Sequence, residues 1–242
     1  MTIVGVIPAR YASVRFPGKP LALLAGKPMV LHVLEAARGA RRLDRVVVAT
    51  DDERIAAVVR KTGAEALLTS ADAASGTDRL AEAARQIPAD AYVNIQGDEP
   101  MMSADNVDRA VETLLASPDR RIATLVIAMP QAQASDPNVV KAAVAADGRA
   151  LYFSRSPIPY FRQGEPAYRK HLGIYAYRSA TLAELAALPP SPLERAESLE
   201  QLRWLEAGYA IWVGEASTDS IGIDTPEDLS RAESLLKREV VS

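Results

Sequence analysis

Cysteine is absent from this chain of 242 residues, which excludes disulfides and thiolate metal sites and agrees with a reducing compartment. Long hydrophobic runs are missing too. No uncharged apolar stretch approaches the ~20 residues of a membrane-spanning helix, so no membrane insertion is expected. The chain enters a strand-like run directly, with no basic segment ahead of a long apolar one. No signal peptide is therefore expected, and a cytoplasmic location is the default. Neither sign of charge dominates: 28 Lys and Arg against 31 Asp and Glu leave −3, with no like-charge tail and no basic field that would favour nucleic acid. Familiar nucleotide and hydrolase signatures are also lacking. A phosphate-binding P-loop aligned on Gly18-Lys19 would need Gly and Ser or Thr where Ser13 and Pro20 stand. No G-x-G-x-x-G follows the first strand, and there is no nucleophile-elbow serine.

What is present is a repeating rhythm. Hydrophobic content of 48% and charged content of 24% are ordinary for a globular protein large enough to bury a substantial core. Short β-branched runs predict strands over 3–7, 45–50, 64–68, 91–95 and 122–127, alternating with helices over 28–38, 52–62, 77–86 and 104–116. Repeated βα units imply an α/β fold with a mostly parallel sheet and helices on both faces, and ligands at the carboxyl ends of the strands. That rule lines up the Arg10–Lys19 loop, Thr50-Asp51, the Ser75–Arg79 segment and Gln96–Pro100 along one rim. Past Pro130 the rhythm changes. A strand pair over 139–145 and 150–153 turns at Asp147-Gly148, and further strands are expected over 171–177, 211–213 and 221–223. Helices are expected over 193–207 and 226–237, with Asp224 or Thr225 capping the last. The second half is expected to elaborate the same sheet, making 1–242 one domain.

Residues 4–21, VGVIPARYASVRFPGKPL, carry the strongest chemical signal. A buried strand opens into a turn-rich loop bearing Arg10, Arg15 and Lys19, a good way to hold a polyphosphate. Two acidic segments stand at expected strand tips, Gly97-Asp98-Glu99-Pro100 and Asp224-Thr225-Pro226-Glu227. Carboxylates there suit Mg²⁺, which takes a few hard oxygen ligands and leaves positions for water and phosphate. Asp224 reads equally as a helix cap, and Gly97 as room for the backbone to crowd a ligand. Ser75-Gly76-Thr77-Asp78-Arg79 opens a helix and serves a cap or a ligand equally well. In 170–175 the alternation turns His171, Gly173 and Tyr175 to one side, although a lone His is more often structural; His32 is read as structural. Glu194, Glu197 and Glu200 at helical spacing read as a solvated face, with Glu200-Gln201 in reach of a polyol.

IPARYASVRFPGKPL, SGTDRLAEA, NIQGDEP, LYFSRSPIP, HLGIYAYR, PLERAESLEQLRWLEAG and GIDTPEDL occur together and in order, over about residues 3–236. In this combination the chain resembles the 3-deoxy-manno-octulosonate cytidylyltransferases, the CMP-Kdo synthetases. The resemblance implies a Rossmann-like nucleotidyltransferase fold with an inserted β-rich lobe, at about 130–215, for sugar binding and dimerisation. It further implies a cytoplasmic homodimer, Mg²⁺ as cofactor, and the reaction of CTP with Kdo to CMP-Kdo and pyrophosphate for lipopolysaccharide biosynthesis. By position it assigns Arg10, Arg15 and Lys19 to the triphosphate and Asp98 and Asp224 to the metal. Pro8, Ala9, Ser75 and Gly76 fall beside the nucleotide. Arg79, Gln96, Arg155, His171, Tyr175, Glu200 and Gln201 fall to the sugar. Lys19, Arg10, Asp98 and Asp224 are the expected catalytic set. Two rival readings remain: the same chemistry on another acidic sugar (8-amino-Kdo or a sialic acid), and a non-catalytic nucleotide-binding protein. Ala73-Ala74 stands where the family usually has His-Gln, and the 160–170 segment is short.

Overall fold

The β-branched run that opens the chain forms β1 (Ile3–Ala9), buried along nearly its whole length. The structure, a computed structural model, describes residues 1–12, 15–73, 75–165 and 167–239. Ser13 of the failed P-loop alignment, Ala74 of the Ala73-Ala74 pair, and one position of the 160–170 segment lie outside the described residues. The chain is mixed α/β and divides into two units, residues 1–108 with the returning segment from Asp219, and residues 109–218.

The first unit is built from βα repeats. β1 is followed by a two-residue hairpin, β2 (Leu23–Leu24) with β3 (Lys27–Pro28), then α1 (Met29–Gly39), β4 (Arg45–Thr50) and α2 (Glu53–Arg60). β5 (Glu65–Leu68), α3 (Gly76–Gln86), β6 (Ala91–Asn94) and α4 (Ala104–Leu115) complete the run, α4 continuing past the unit boundary. β1 pairs in parallel with β4 on one side and β6 on the other, and β5 joins β4, also in parallel. Helical crossovers are what such pairing requires. Val47, Val48 and Ala49 of β4 and Val93 of β6 are fully buried, because strands covered on both faces keep no polar alternation. The expected elements of this half form within a residue or two of their predicted ends; the small β2–β3 hairpin is additional, and Pro28 is the N-cap of α1 rather than its first turn.

The second unit centres on β7 (Ile122–Met129). The hairpin of β8 (Lys141–Val144) and β9 (Ala150–Ser154) turns at Asp147-Gly148 as expected, with Gly148 at φ +90°. β10 (Tyr168–Arg178) runs antiparallel to β7, and α5 (Ser179–Ala186) follows it without having been foreseen. The single helix expected over 193–207 is two, α6 (Pro192–Glu197) and α7 (Gln201–Glu206), and β11 (Ile211–Glu215) then pairs in parallel with β7. Ser198 causes the break: it takes the left-handed conformation at φ 52°, ψ 48°, which ends α6. Leu199, Leu202 and Trp204 are buried beyond the turn, so apolar periodicity runs through the break and hides it.

The chain then returns to the first unit and ends in α8 (Pro226–Glu239). The short strand expected over 221–223 does not form. Its apolar residue docks instead: Ile223 is fully buried against Leu24, Met29 and Ala232, with Phe16, Met101 and Leu229 packed around them.

Candidate active site

Tertiary contacts shape the cationic loop after β1. Gly18 sits at φ 71°, ψ 13°, a left-handed conformation that costs glycine little. Its N–H donates to the Tyr11 carbonyl at 2.9 Å, and a Cβ there would meet the Tyr11 ring at 3.2 Å. Lys19 then starts a 3₁₀ turn (Lys19–Leu21) with Pro20 fixing its first positions. From outside, the Arg54 guanidinium lies 3.5 Å from the Tyr11 ring centroid, and Arg54 is gripped by Asp52 through Nε at 2.9 Å and Nη2 at 2.6 Å. Neither Tyr11 nor Arg54 stood out in the sequence.

Lys19 brings the two acidic segments together. Its ammonium donates to Asp98 Oδ2 at 2.9 Å and to Asp224 Oδ1 at 3.1 Å, and Arg15 Nη2 lies 2.9 Å from Asp224 Oδ2. The Lys19 side chain is only 12% exposed, against 36% for Asp98 and 46% for Asp224. Two backbone details free Asp224 for this. Ile223 donates its N–H to the Asp98 carbonyl at 2.8 Å. And Thr225, not Asp224, makes the cap of α8: its hydroxyl accepts from Asp228 N at 3.2 Å, while Asp228 Oδ2 accepts from the Asp224 and Thr225 N–H groups at 3.1 and 3.0 Å. The Thr-x-x-Asp spacing is a variant of the capping box and was visible in the sequence.

Around the rim the expected residues divide. Arg10 leaves β1 exposed, next to half-buried Pro8 and buried Ala9. Gly97 is required by the protein itself: a Cβ there would strike the Pro8 carbonyl at 2.5 Å. Asn94 Nδ2, Gln96 Oε1 and the Pro8 ring surround Gly76 within 3.9 Å of where its Cβ would stand. Ser75 caps α3 in a capping box with Asp78. Arg79 is buried, and its guanidinium donates to Thr69 Oγ1 at 2.6 Å, Ser70 O at 3.2 Å and Asp51 Oδ2 at 3.3 Å. It braces the chain between β5 and α3, where the sequence pointed to a sugar contact. Asn94 was overlooked. It is buried, and its Oδ1 has no hydrogen-bond partner among the described residues.

In the second unit, β10 carries a bulge between Leu172 and Tyr175, so strict alternation fails there. The His171 and Tyr175 rings still lie 5.3 Å apart, with Phe153 edge-on to His171 at 4.9 Å and Trp204 edge-on to Tyr175 at 5.1 Å. His171 keeps some exposed surface, but its imidazole is enclosed, and desolvation pushes its pKa down to about 3. Thr124 Oγ1 meets His171 Nε2 at 2.9 Å and also donates to Ile174 O at 2.8 Å. One hydroxyl proton cannot serve both; with that proton on the shorter contact, to Ile174 O, Nε2 carries the imidazole proton and Nδ1 is left as the acceptor. The Arg155 guanidinium is occupied by main-chain carbonyls, Nε with Glu197 O at 2.7 Å and Nη1 with Pro137 O at 2.8 Å. Glu194 and Glu197 do not form a solvated face. Glu194 accepts from Arg203 Nε at 2.7 Å, and Glu197 accepts from Ser154 Oγ at 2.6 Å and Arg155 N at 2.9 Å, because the break at Ser198 folds α6 back onto its neighbours. Glu200 is half-buried ahead of α7 and Gln201 is buried in its first turn. Lys141, also unforeseen, is fully buried and donates to the carbonyls of Asp136 at 2.9 Å, Val139 at 2.6 Å and Arg155.

A family model described as cytidylyltransferase matches residues 4–215. A 3-deoxy-manno-octulosonate cytidylyltransferase of Syntrophobacter fumaroxidans is 52% identical over 250 residues, covering 100% of this chain and 99% of the relative. The chain belongs to the 3-deoxy-manno-octulosonate cytidylyltransferase family. Another relative of that name, from Geobacter sulfurreducens, is 48% identical over 98% of this chain and 100% of its own length. A solved structure of CMP:2-keto-3-deoxy-manno-octonic acid synthetase complexed with CTP superposes with a TM-score of 0.94 at 45% identity, covering 99% of this chain and 100% of that one. A cytidylyltransferase structure from Leptospira borgpetersenii shares the fold alone, with a TM-score of 0.67 at 19% identity over 98% of this chain and 87% of that one. Among the described residues, no helix is long and apolar enough to cross a membrane.

Proposed function

We propose that this protein transfers the cytidylyl group of CTP to the anomeric hydroxyl of 3-deoxy-D-manno-octulosonate, releasing pyrophosphate. The observation that carries the proposal is the convergence of Asp98 and Asp224 on one cationic nitrogen supplied by the loop after β1. Mg²⁺ fits there: two hard carboxylate oxygens already meet within 3.1 Å of a single positive centre. Asp98 and Asp224 would hold the ion, which when bound would acidify the attacking hydroxyl and offset charge at the α-phosphate.

The remaining work falls to side chains. Arg10, Arg15 and Lys19 neutralise the charge that builds on the departing pyrophosphate, the main task in phosphoryl-type transfer. Pro8, Ala9, Ser75 and Gly76 offer backbone groups to the nucleoside, with Arg79 bracing their segment from below. Gln96, Tyr175, Glu200 and Gln201 orient the sugar. His171 accepts a sugar hydroxyl at Nδ1, and with a pKa of about 3 it is too weak a base to remove the reacting proton. Arg155 orders the sugar-facing turn through the carbonyls that it holds. The second-half segment of about 130–215 carries sugar recognition and the contact of a homodimer. CMP-Kdo made this way serves lipopolysaccharide assembly, and the cysteine-free composition suits the cytoplasm.

A pyrophosphate-release screen tests the proposal: four nucleoside triphosphates against Kdo, 8-amino-Kdo and a sialic acid, each with and without Mg²⁺. The expected result is release with CTP and Kdo that depends on Mg²⁺. Release with none of the sugars removes the assignment, and preference for a different acidic sugar reassigns the acceptor.

A further inference from the structure

Lys19 and a divalent cation compete for the same atoms. Both Asp98 Oδ2 and Asp224 Oδ1 lie within hydrogen-bond distance of the Lys19 ammonium, and Arg15 occupies the other Asp224 oxygen, Oδ2, at 2.9 Å. Two carboxylates and two cations leave these four side chains formally neutral, so the charge of the Asp98–Asp224 pair is already offset by its own partners when a divalent ion approaches. The ligand count points the same way. Among the described residues, no group of three or more His, Asp or Glu side chains is placed to hold a metal ion. Mg²⁺ held by only one or two carboxylates completes its shell with water and substrate phosphates.

We infer that Lys19 and Arg15 are resident counter-ions of the Asp98–Asp224 pair, so that the protein alone binds a divalent ion weakly and the triphosphate opens the carboxylates by drawing both cations onto its own oxygens. The inference rests on the assignment of Asp98 and Asp224 as metal ligands, and adds an order of events: the ion comes in with the nucleotide rather than ahead of it. The physical cause is exchange of partners. A triphosphate offers Lys19 and Arg15 more negative charge than the two carboxylates do, and charge-assisted contacts to phosphate are strong. Lys19 sits on a short 3₁₀ turn beside Gly18, so its ammonium changes partner by side-chain rotation. If the form with Lys19 displaced is a minor one, the apparent metal affinity falls by its fractional population.

Mn²⁺ provides the probe, titrated against the full chain, with the free aqueous ion read by electron paramagnetic resonance. Lys19→Met should bind Mn²⁺ alone about tenfold more tightly than the unaltered protein, the gain expected if the open form is populated at roughly a tenth. Arg15→Ala, at a residue whose side chain is 61% exposed and whose loss leaves the core intact, should shift affinity the same way by a smaller factor. Adding Asp98→Asn to Lys19→Met should abolish the gain. Calorimetry should also show CTP binding more tightly with Mn²⁺ than without it, and that coupling should shrink in Lys19→Met, since coupling between two ligands is reciprocal. Equal or weaker Mn²⁺ binding by both Lys19→Met and Arg15→Ala overturns the counter-ion role. If Asp98→Asn still weakens Mn²⁺ binding in that case, the metal-ligand assignment survives on its own. If Asp98→Asn has no effect on Mn²⁺ in any background, both fall together.

Discussion

Ile223 donates its main-chain N–H to the Asp98 carbonyl at 2.8 Å, and that contact ties together two acidic segments remote in sequence. The Ile223 side chain is fully buried, so apolar packing fixes where Asp224 stands. Ile223→Ala should therefore cost about 2–5 kcal/mol, the range for truncating a buried Ile. Turnover should fall beyond what lost stability explains, because Asp224 loses its register with Asp98. Thr225→Ala removes only a cap and should cost about 0.5–2 kcal/mol. Urea unfolding with parallel pyrophosphate-release assays checks the pair; equal effects on turnover would count against a positioning role for Ile223.

Asp98→Asn keeps shape and hydrogen-bonding reach but removes a hard anionic ligand. Turnover should drop by about two orders of magnitude or more, with the melting temperature changed little. Steady-state kinetics at saturating CTP and Kdo, with varied Mg²⁺, measure it. Near-normal turnover would contradict the metal role.

Arg54 stacks on Tyr11, and Tyr11 covers Gly18, immediately before Lys19. An exposed cation–π contact contributes about 0.5–1 kcal/mol, so Arg54→Ala should raise the KM for CTP about two- to fivefold. The KM for Kdo should stay nearly constant. A parallel rise in both constants would show a general loss of order instead.

His171 gives a pH signature. Its pKa is about 3 in the folded protein against an ordinary 6.5, so between those values the unfolded chain takes up a proton that the folded chain does not. Stability is therefore lost as pH falls from 6.5 toward 3, by an amount on the order of a few kcal/mol. His171→Gln should flatten that slope in denaturant titrations at pH 4.5 and 7.5. An unchanged slope would mean that the imidazole is protonated in the fold.

Arg155 holds three main-chain carbonyls, those of Pro137, Glu197 and Ser198, through its guanidinium. Arg155→Ala should raise the KM for Kdo more than that for CTP, and Arg155→Lys should restore little, because an ammonium lacks the planar fork that spans separated acceptors. Full rescue by lysine would show that charge alone matters.

The βα rhythm of the first half was legible because parallel strands buried on both faces are near-continuous apolar runs separated by capped helices. The cationic loop and Asp98 were legible for a related reason: ligands of such sheets collect past the carboxyl ends of strands, and Lys19 and Asp98 follow β1 and β6, whereas Asp224 follows no strand and showed only as an acidic residue ahead of a helix. The break at Ser198 was hidden because Leu199 and Trp204 keep the apolar spacing through it. The strand expected over 221–223 failed because a short β-branched run reads the same whether it joins a sheet or plugs a core. Gly97 was seen to matter, but its neighbour is the Pro8 carbonyl, which no local pattern names.

Sequence by itself determined the repeating units, the cysteine-free chemistry and the residue types available to hold a triphosphate and a cation, since these depend on local pattern and composition. Tertiary structure alone decided which charges meet. It placed Lys19 between Asp98 and Asp224 and spent Arg79 and Arg155 on the protein's own acceptors. Partner choice of this kind depends on distances across the chain, and a charged side chain goes to whichever opposite group the packed core sets within reach.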